Sequence, residues 1–114
     1  MRQIKFYTSS AGRCPVQEYL DDLPDKTVQK IAWVLRVVRD LDQVPANYFK
    51  KLVNTDDIWE VRVDVGRNTF RLLGFFEEQA FIILTNAFQK KTQQTPPAEI
   101  RLAEERKADH MRRR

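Results

Sequence analysis

The spacing of apolar residues changes several times along this 114-residue chain, and each change marks an element. Ile4 and Phe6 alternate with Lys5, which predicts a short first strand over Ile4 to Tyr7 at or near a sheet edge. Pro15 suits the first turn of a helix, and Val16, Tyr19, Leu20 and Leu23 then recur at helical spacing. Pro24 interrupts, and Val28, Ile31, Leu35, Val38 and Leu41 trace the stripe of a longer helix that Pro45 stops. Two helices with so short a connection fold back as an antiparallel hairpin.

Beyond Tyr48 the period becomes two. Trp59, Val61, Val63 and Val65 alternate with Glu60, Arg62 and Asp64, a strand with one charged face. Gly66-Arg67-Asn68 makes a turn, Thr69 to Phe76 is an apolar strand whose one charge is Arg71, and Glu77-Glu78-Gln79 turns into a further apolar strand from Ala80 to Phe88. These three strands form an antiparallel meander. A polar, basic loop from Gln89 to Thr95 leads through Pro96-Pro97 into a helix reaching about Met111, with Ile100 and Ala103 as its best core contacts and Arg112 to Arg114 expected to fray. The pattern predicts one α+β domain over residues 1–114, in the order β-α-α-β-β-β-α, with an antiparallel sheet, an N-terminal helical hairpin and a C-terminal helix.

Composition supports a packed globule: 42% of residues are hydrophobic and 32% charged, with few glycines and prolines. No apolar run is long enough for a membrane span, and the first residues lack the apolar core of a signal peptide, so a cytoplasmic location is expected. Cys14 is the lone cysteine, which excludes an internal disulfide and a cysteine-built metal cage, and suits a half-buried helix-start residue. The net charge of +4 arises from interspersed charges of both signs, so a basic surface must be assembled by folding.

The candidate chemistry is narrow. His110 is the lone histidine, no phosphate-cradling glycine loop or nucleophile elbow is present, and Asp56, Asp57, Glu60 and Asp64 are an unpromising magnesium site beside Arg62 and Arg67. No metal or small-molecule cofactor is expected. What remains is cationic: Arg62 and Arg71 lie on neighbouring strands with Glu60, Lys50 and Lys51 enter from one side, Arg67 caps the hairpin, and Lys90 and Lys91 leave the last strand. Such a cluster suits metal-free RNA cleavage, in which the ribose 2′-hydroxyl supplies the nucleophile and the protein orients the phosphate, offsets its charge and moves two protons. Arginine grips two phosphate oxygens with its planar fork, and Glu60 is a candidate proton acceptor. The competing reading is a solvated strand face in which Glu60, Arg62 and Asp64 pair among themselves.

Three segments carry a family resemblance: Trp59-Glu60-Val61-Arg62-Val63-Asp64, Arg67-Asn68-Thr69-Phe70-Arg71, and Ala87-Phe88-Gln89-Lys90-Lys91-Thr92-Gln93-Gln94-Thr95-Pro96. Together they resemble the phage-related HigB-like branch of the RelE/ParE toxin superfamily over nearly the whole chain. The resemblance implies a RelE-like domain acting as a cofactor-free, ribosome-dependent mRNA endonuclease, silenced by a helix-turn-helix antitoxin. It implies catalytic roles for Arg62, Arg71 and Lys90 or Lys91; Lys50, Lys51 and Arg67 are then RNA-steering residues. No histidine or tyrosine stands directly after the last strand, where the family often carries a general acid, which leaves a lysine as the candidate for that role. Two alternatives share the scaffold: a ParE-like inhibitor of DNA gyrase, and a noncatalytic phage-derived protein that binds a host factor.

Overall fold

The computed structural model describes residues 1–114. Its elements run β1 (Gln3–Phe6), α1 (Pro15–Asp21), α2 (Asp25–Asp40), β2 (Phe49–Lys51), β3 (Trp59–Val65), β4 (Asn68–Glu77), β5 (Phe81–Lys90) and α3 (Pro97–Arg113). The strands form one five-stranded sheet in the order β1-β5-β4-β3-β2. The α+β class, the hairpin, the meander and the final helix agree with the sequence pattern.

Two features of the sheet differ from that pattern. The three residues of β2 add an edge strand antiparallel to β3, too short for alternation to reveal. The sheet is also not wholly antiparallel, because β1 pairs in parallel with β5, matching Gln3 with Phe81 through Phe6 with Leu84. Parallel partners need a long connection, and here it consists of both N-terminal helices and three strands.

Alternation along the strands creates two unlike faces. On one, Val61, Val63, Phe70, Leu72, Ile82 and Leu84 pack against Val16, Leu20, Ile31, Val34 and Val38 of the helical hairpin. The buried line of α2 is Thr27, Ile31, Val34 and Val38, rotated slightly from the expected stripe. Leu35 lies on its flank, and Leu41 follows the helix in extended backbone, 46% exposed. Full burial of such side chains stabilises by about 1.5–3 kcal/mol each, so this face carries most of the core's driving force.

The second face is covered by α3 over part of its length. Ala103 and Ile100 of α3 meet Ile58, Leu73 and Phe88, and a smaller group comprises Tyr7, Phe75 and Ile83. A register shift between β4 and β5 falls at Leu73/Gly74, where the Thr85 hydroxyl donates to the Leu73 carbonyl at 3.1 Å. Gly74 is required there, since a Cβ would run into the Ile83 carbonyl oxygen.

The helix α3 runs to Arg113, past the expected end near Met111, and its last turn carries a group of ion pairs. The Tyr7 hydroxyl donates to Asp109 at 2.5 Å, and the Arg113 guanidinium donates to Asp109 at 2.8 Å and to the Thr8 carbonyl at 2.6 Å. Arg112 pairs with Asp109 at 3.3 Å, Arg114 with Glu77 at 3.6 Å, and His110 meets Glu77 at 2.6 Å. His110 is thus engaged at this end, on the edge of the Phe75 ring. No helix is long and apolar enough to cross a membrane.

Candidate functional site

Because α3 covers only part of the second face, the rest opens as a cleft of about 400 Å³. The register dictates what stands there. Lys50 lies opposite Glu60, Arg62 opposite Arg71, Asp64 opposite Thr69, and Thr69 in turn opposite Lys90, so one face gathers these side chains from four strands. Lys50, Glu60, Arg62 and Lys90 line the cleft directly.

Glu60 is the cleft's one carboxylate, and it is buried, 3% exposed, rather than solvated as a charged strand face would be. Its Oε1 lies 3.3 Å from Arg71 Nε and 3.5 Å from Arg62 Nε, while its Oε2 accepts a hydrogen bond from the Thr95 hydroxyl. Arg71 sits behind this wall, 5% exposed, with Nη1 donating to the Phe70 carbonyl at 3.0 Å. The expected position of Arg71 on the cleft surface is therefore corrected: it is a buried cation one row back. Burial lowers its pKa, with Glu60 opposing and Arg62 reinforcing the shift.

Both arginine Nε–H groups are buried and lack a properly directed acceptor, although Glu60 is within ion-pair distance. Unsatisfied buried donors are costly, about 1–3 kcal/mol each. Both of these lie beside the Glu60 carboxylate rather than in the open cleft, so an anion in the cleft would meet the charge of the two arginines and not their Nε–H groups. Lys90 is half-buried, and its pKa is lowered first by burial and then by the Arg71 charge. On the part of this face that α3 leaves open, four cations, Lys50, Arg62, Arg71 and Lys90, outnumber two carboxylates, Glu60 and Asp64.

Other sequence candidates lie elsewhere. Lys51 pairs across to Trp59, which turns it to the opposite face, and its ammonium binds Asp57 at 2.8 Å. Arg67 is exposed in the β3–β4 turn and Lys91 is exposed beyond the end of β5, neither lining the cleft. A single convergent patch of all these cations is thus corrected to Lys50, Arg62, Arg71 and Lys90 around Glu60. The acidic run does not gather either: Asp57 faces Lys51, Asp56 faces Lys107 at 3.5 Å, and no three metal-ligating side chains meet.

Sequence reading missed the cleft's other wall, made by Leu52, Val53, Gln93, Gln94, Thr95 and Ile100. Thr95 ends the polar loop read from the sequence, and its hydroxyl is the partner of Glu60. The available signal was the polar loop directly following the strand that carries Lys90. Chemically, the assembled site can bind a phosphate, surround developing negative charge with cations, accept a proton at Glu60 and donate one from Lys90.

A family model described as "Phage derived protein Gp49-like (DUF891)" matches residues 18–108, from within α1 to within α3, and so includes every residue of this cleft. No curated protein matches the chain.

Proposed function

We propose that this chain, which belongs to the Gp49-like family of phage-derived proteins, a RelE-toxin-like family, is an endoribonuclease toxin that cuts mRNA. The observation that carries this reading is the pair of guanidiniums, Arg71 buried and Arg62 part-exposed at the cleft, whose buried Nε–H groups both lie beside Glu60, set with Lys50 and Lys90 around that single carboxylate. In this mechanism Glu60 accepts the proton of the ribose 2′-hydroxyl, whose oxygen attacks the adjacent phosphorus. The bond to the 5′-oxygen of the next nucleotide breaks as Lys90 donates a proton to that oxygen, leaving a 2′,3′-cyclic phosphate and a free 5′-hydroxyl. Arg62 contacts the phosphoryl oxygens, Arg71 adds charge from behind, and Lys50 holds a neighbouring phosphate.

The lowered pKa of Lys90 suits it to the acid role better than an ordinary lysine. Kinship with RelE-like toxins, rather than the cleft, motivates two further parts of the proposal: the RNA is presented on the ribosome, and a helix-turn-helix antitoxin keeps the chain silent. A gyrase inhibitor on this scaffold would act through protein contacts and would have no use for two guanidiniums gathered on one buried carboxylate.

The test is induction of the wild-type chain, Arg62→Ala and Arg71→Ala in a bacterial host, with mRNA 5′ ends mapped after growth stops. Wild type should produce new ends within translated codons, and each variant should lower cutting by about 10²–10³-fold, the loss typical of removing one charge-stabilising donor. Growth arrest without new ends would sink the nuclease reading, and a supercoiling defect with purified gyrase would replace it.

A further inference from the structure

The cleft has two chemically different halves. One is the cationic group around Glu60; the other joins the apolar side chains of Leu52, Val53 and Ile100 to the amides of Gln93 and Gln94. A phosphate alone has no use for the second half.

Val53 is 81% exposed, yet the loop presenting it is fixed. The Thr55 hydroxyl donates to the Leu52 carbonyl at 2.9 Å and accepts from the Ile58 N–H at 3.1 Å. The Asp56 N–H donates to Glu104 at 2.9 Å, and the Lys107 ammonium donates to the Asp56 carbonyl at 2.6 Å, tying the loop to α3. Asn54 and Asp57 adopt left-handed backbone with φ of 58° and 53°, a conformation these two residue types tolerate better than most. The fold therefore holds an apolar side chain out at the lip of a charged cleft.

Across from it, the loop bearing Gln93 and Gln94 is secured at both ends. The Thr92 hydroxyl donates to the Gln94 carbonyl at 2.8 Å, and Thr95 is bound to Glu60. Hydrogen bonds thus fix the backbone while the two amides stay available. A primary amide offers a donor and an acceptor side by side, which matches the hydrogen-bonding edge of a nucleobase.

We infer that this half is a nucleobase subsite. Resting on the RNA-cleavage reading, it receives the base of the nucleotide adjoining the bound phosphate in single-stranded RNA. The base lies against Leu52, Val53 and Ile100, and Gln93 and Gln94 pair with its edge. The cleft's volume of about 400 Å³ falls in the range of small-ligand pockets, roughly 300–1,000 Å³. Unpaired RNA bases splay out and are read along their edges in this manner. No aromatic side chain lines the cleft, so discrimination rests on the amides and the apolar shelf provides only a surface.

The test compares wild type, the double variant Gln93→Ala/Gln94→Ala and Val53→Ser by mapping cut sites in cells, with melting temperatures confirming that each variant folds. Wild type should show a base preference next to the cut. The double variant should still cut, with that preference reduced about tenfold, within the discrimination one bidentate base contact supplies. Val53→Ser should reduce cutting at all sites without changing the preference. If the double variant cuts with an unchanged preference, the subsite is overturned while the nuclease reading stands. Loss of all cutting in a folded double variant would also overturn it, by making the amides necessary for reaction rather than selection. Absence of cuts from wild type would overturn both readings together.

Discussion

The two faces of the sheet are made by alternate residues of the same strands, yet they are organised differently. The face under the helical hairpin is apolar from Phe49 through Leu84. The face under α3 is apolar only where α3 covers it, at Leu73, Phe75 and Ile83, and beyond that it places Glu60 and Arg71 in positions with 3% and 5% exposure. Replacing buried ion pairs with apolar side chains is often neutral or stabilising by about 1–4 kcal/mol, so stability alone gives little reason to keep charges there. One face is built for cohesion, whereas the other retains charge where packing would be easier.

The most direct way to break this comparison is to change neighbours in sequence that face opposite ways. Leu72→Ala, fully buried under the hairpin, should cost about 2–5 kcal/mol in chemical denaturation while leaving RNA cleavage per folded molecule unchanged. Arg71→Met should show the reverse, a smaller loss of stability with a large loss of cleavage, because Glu60 keeps Arg62 and Thr95 as partners. Equal destabilisation by the two changes would make the charged face structural after all.

A smaller effect sharpens the charged face itself. Because its folded pKa lies below 10.5, Lys90 releases its proton earlier in the folded chain than in the unfolded one. Between those two values the unfolded chain binds more protons, so this group's contribution to stability rises with pH. As an acid it becomes less able to donate over the same range. Cleavage should therefore fall on the alkaline side at lower pH than an ordinary lysine would give, and Lys90→Arg should remove that limb from a pH–rate profile, at reduced rate.

The smallest expected effect concerns the covered end. Asp109, held by Arg113 and Tyr7, has its pKa lowered from 3.8 to about 2. A carboxylate shifted downward by folding contributes stability above its unfolded value that is lost as pH falls through the folded one. Melting temperatures of Asp109→Asn should thus fall less than those of wild type between pH 3.8 and about 2, with cleavage at neutral pH unaffected.

Much of this architecture was legible because β3, β4 and β5 are long enough for alternation, turns and apolar runs to agree. Arg71 stood out for the same reason, as the one charge in an apolar strand. By contrast, β2 has three residues and no periodicity, and the parallel partner of β1 depends on contact across most of the chain. The burial of Glu60 was illegible locally because Thr95, its hydroxyl partner, lies 35 positions away. Lys50 and Lys51 look equivalent in sequence, and only pairing of β2 to β3 turns one into the cleft and the other away.

The pairing of β1 with β5 also makes completion of the fold late in synthesis. Gln3 to Phe6 emerge before the other strands but must wait for Phe81 to Leu84 before their backbone partners exist. Such long-range pairing is intrinsically slow to form. Lys90 and Thr95, needed to complete the cleft, follow later still, and α3 last of all. A chain interrupted after β4 would therefore carry Glu60, Arg62 and Arg71 but lack the opposite wall and the strand that joins the sheet to its own beginning. The order of the elements along the chain thus delays the assembled cleft until β5 and the loop after it have been made.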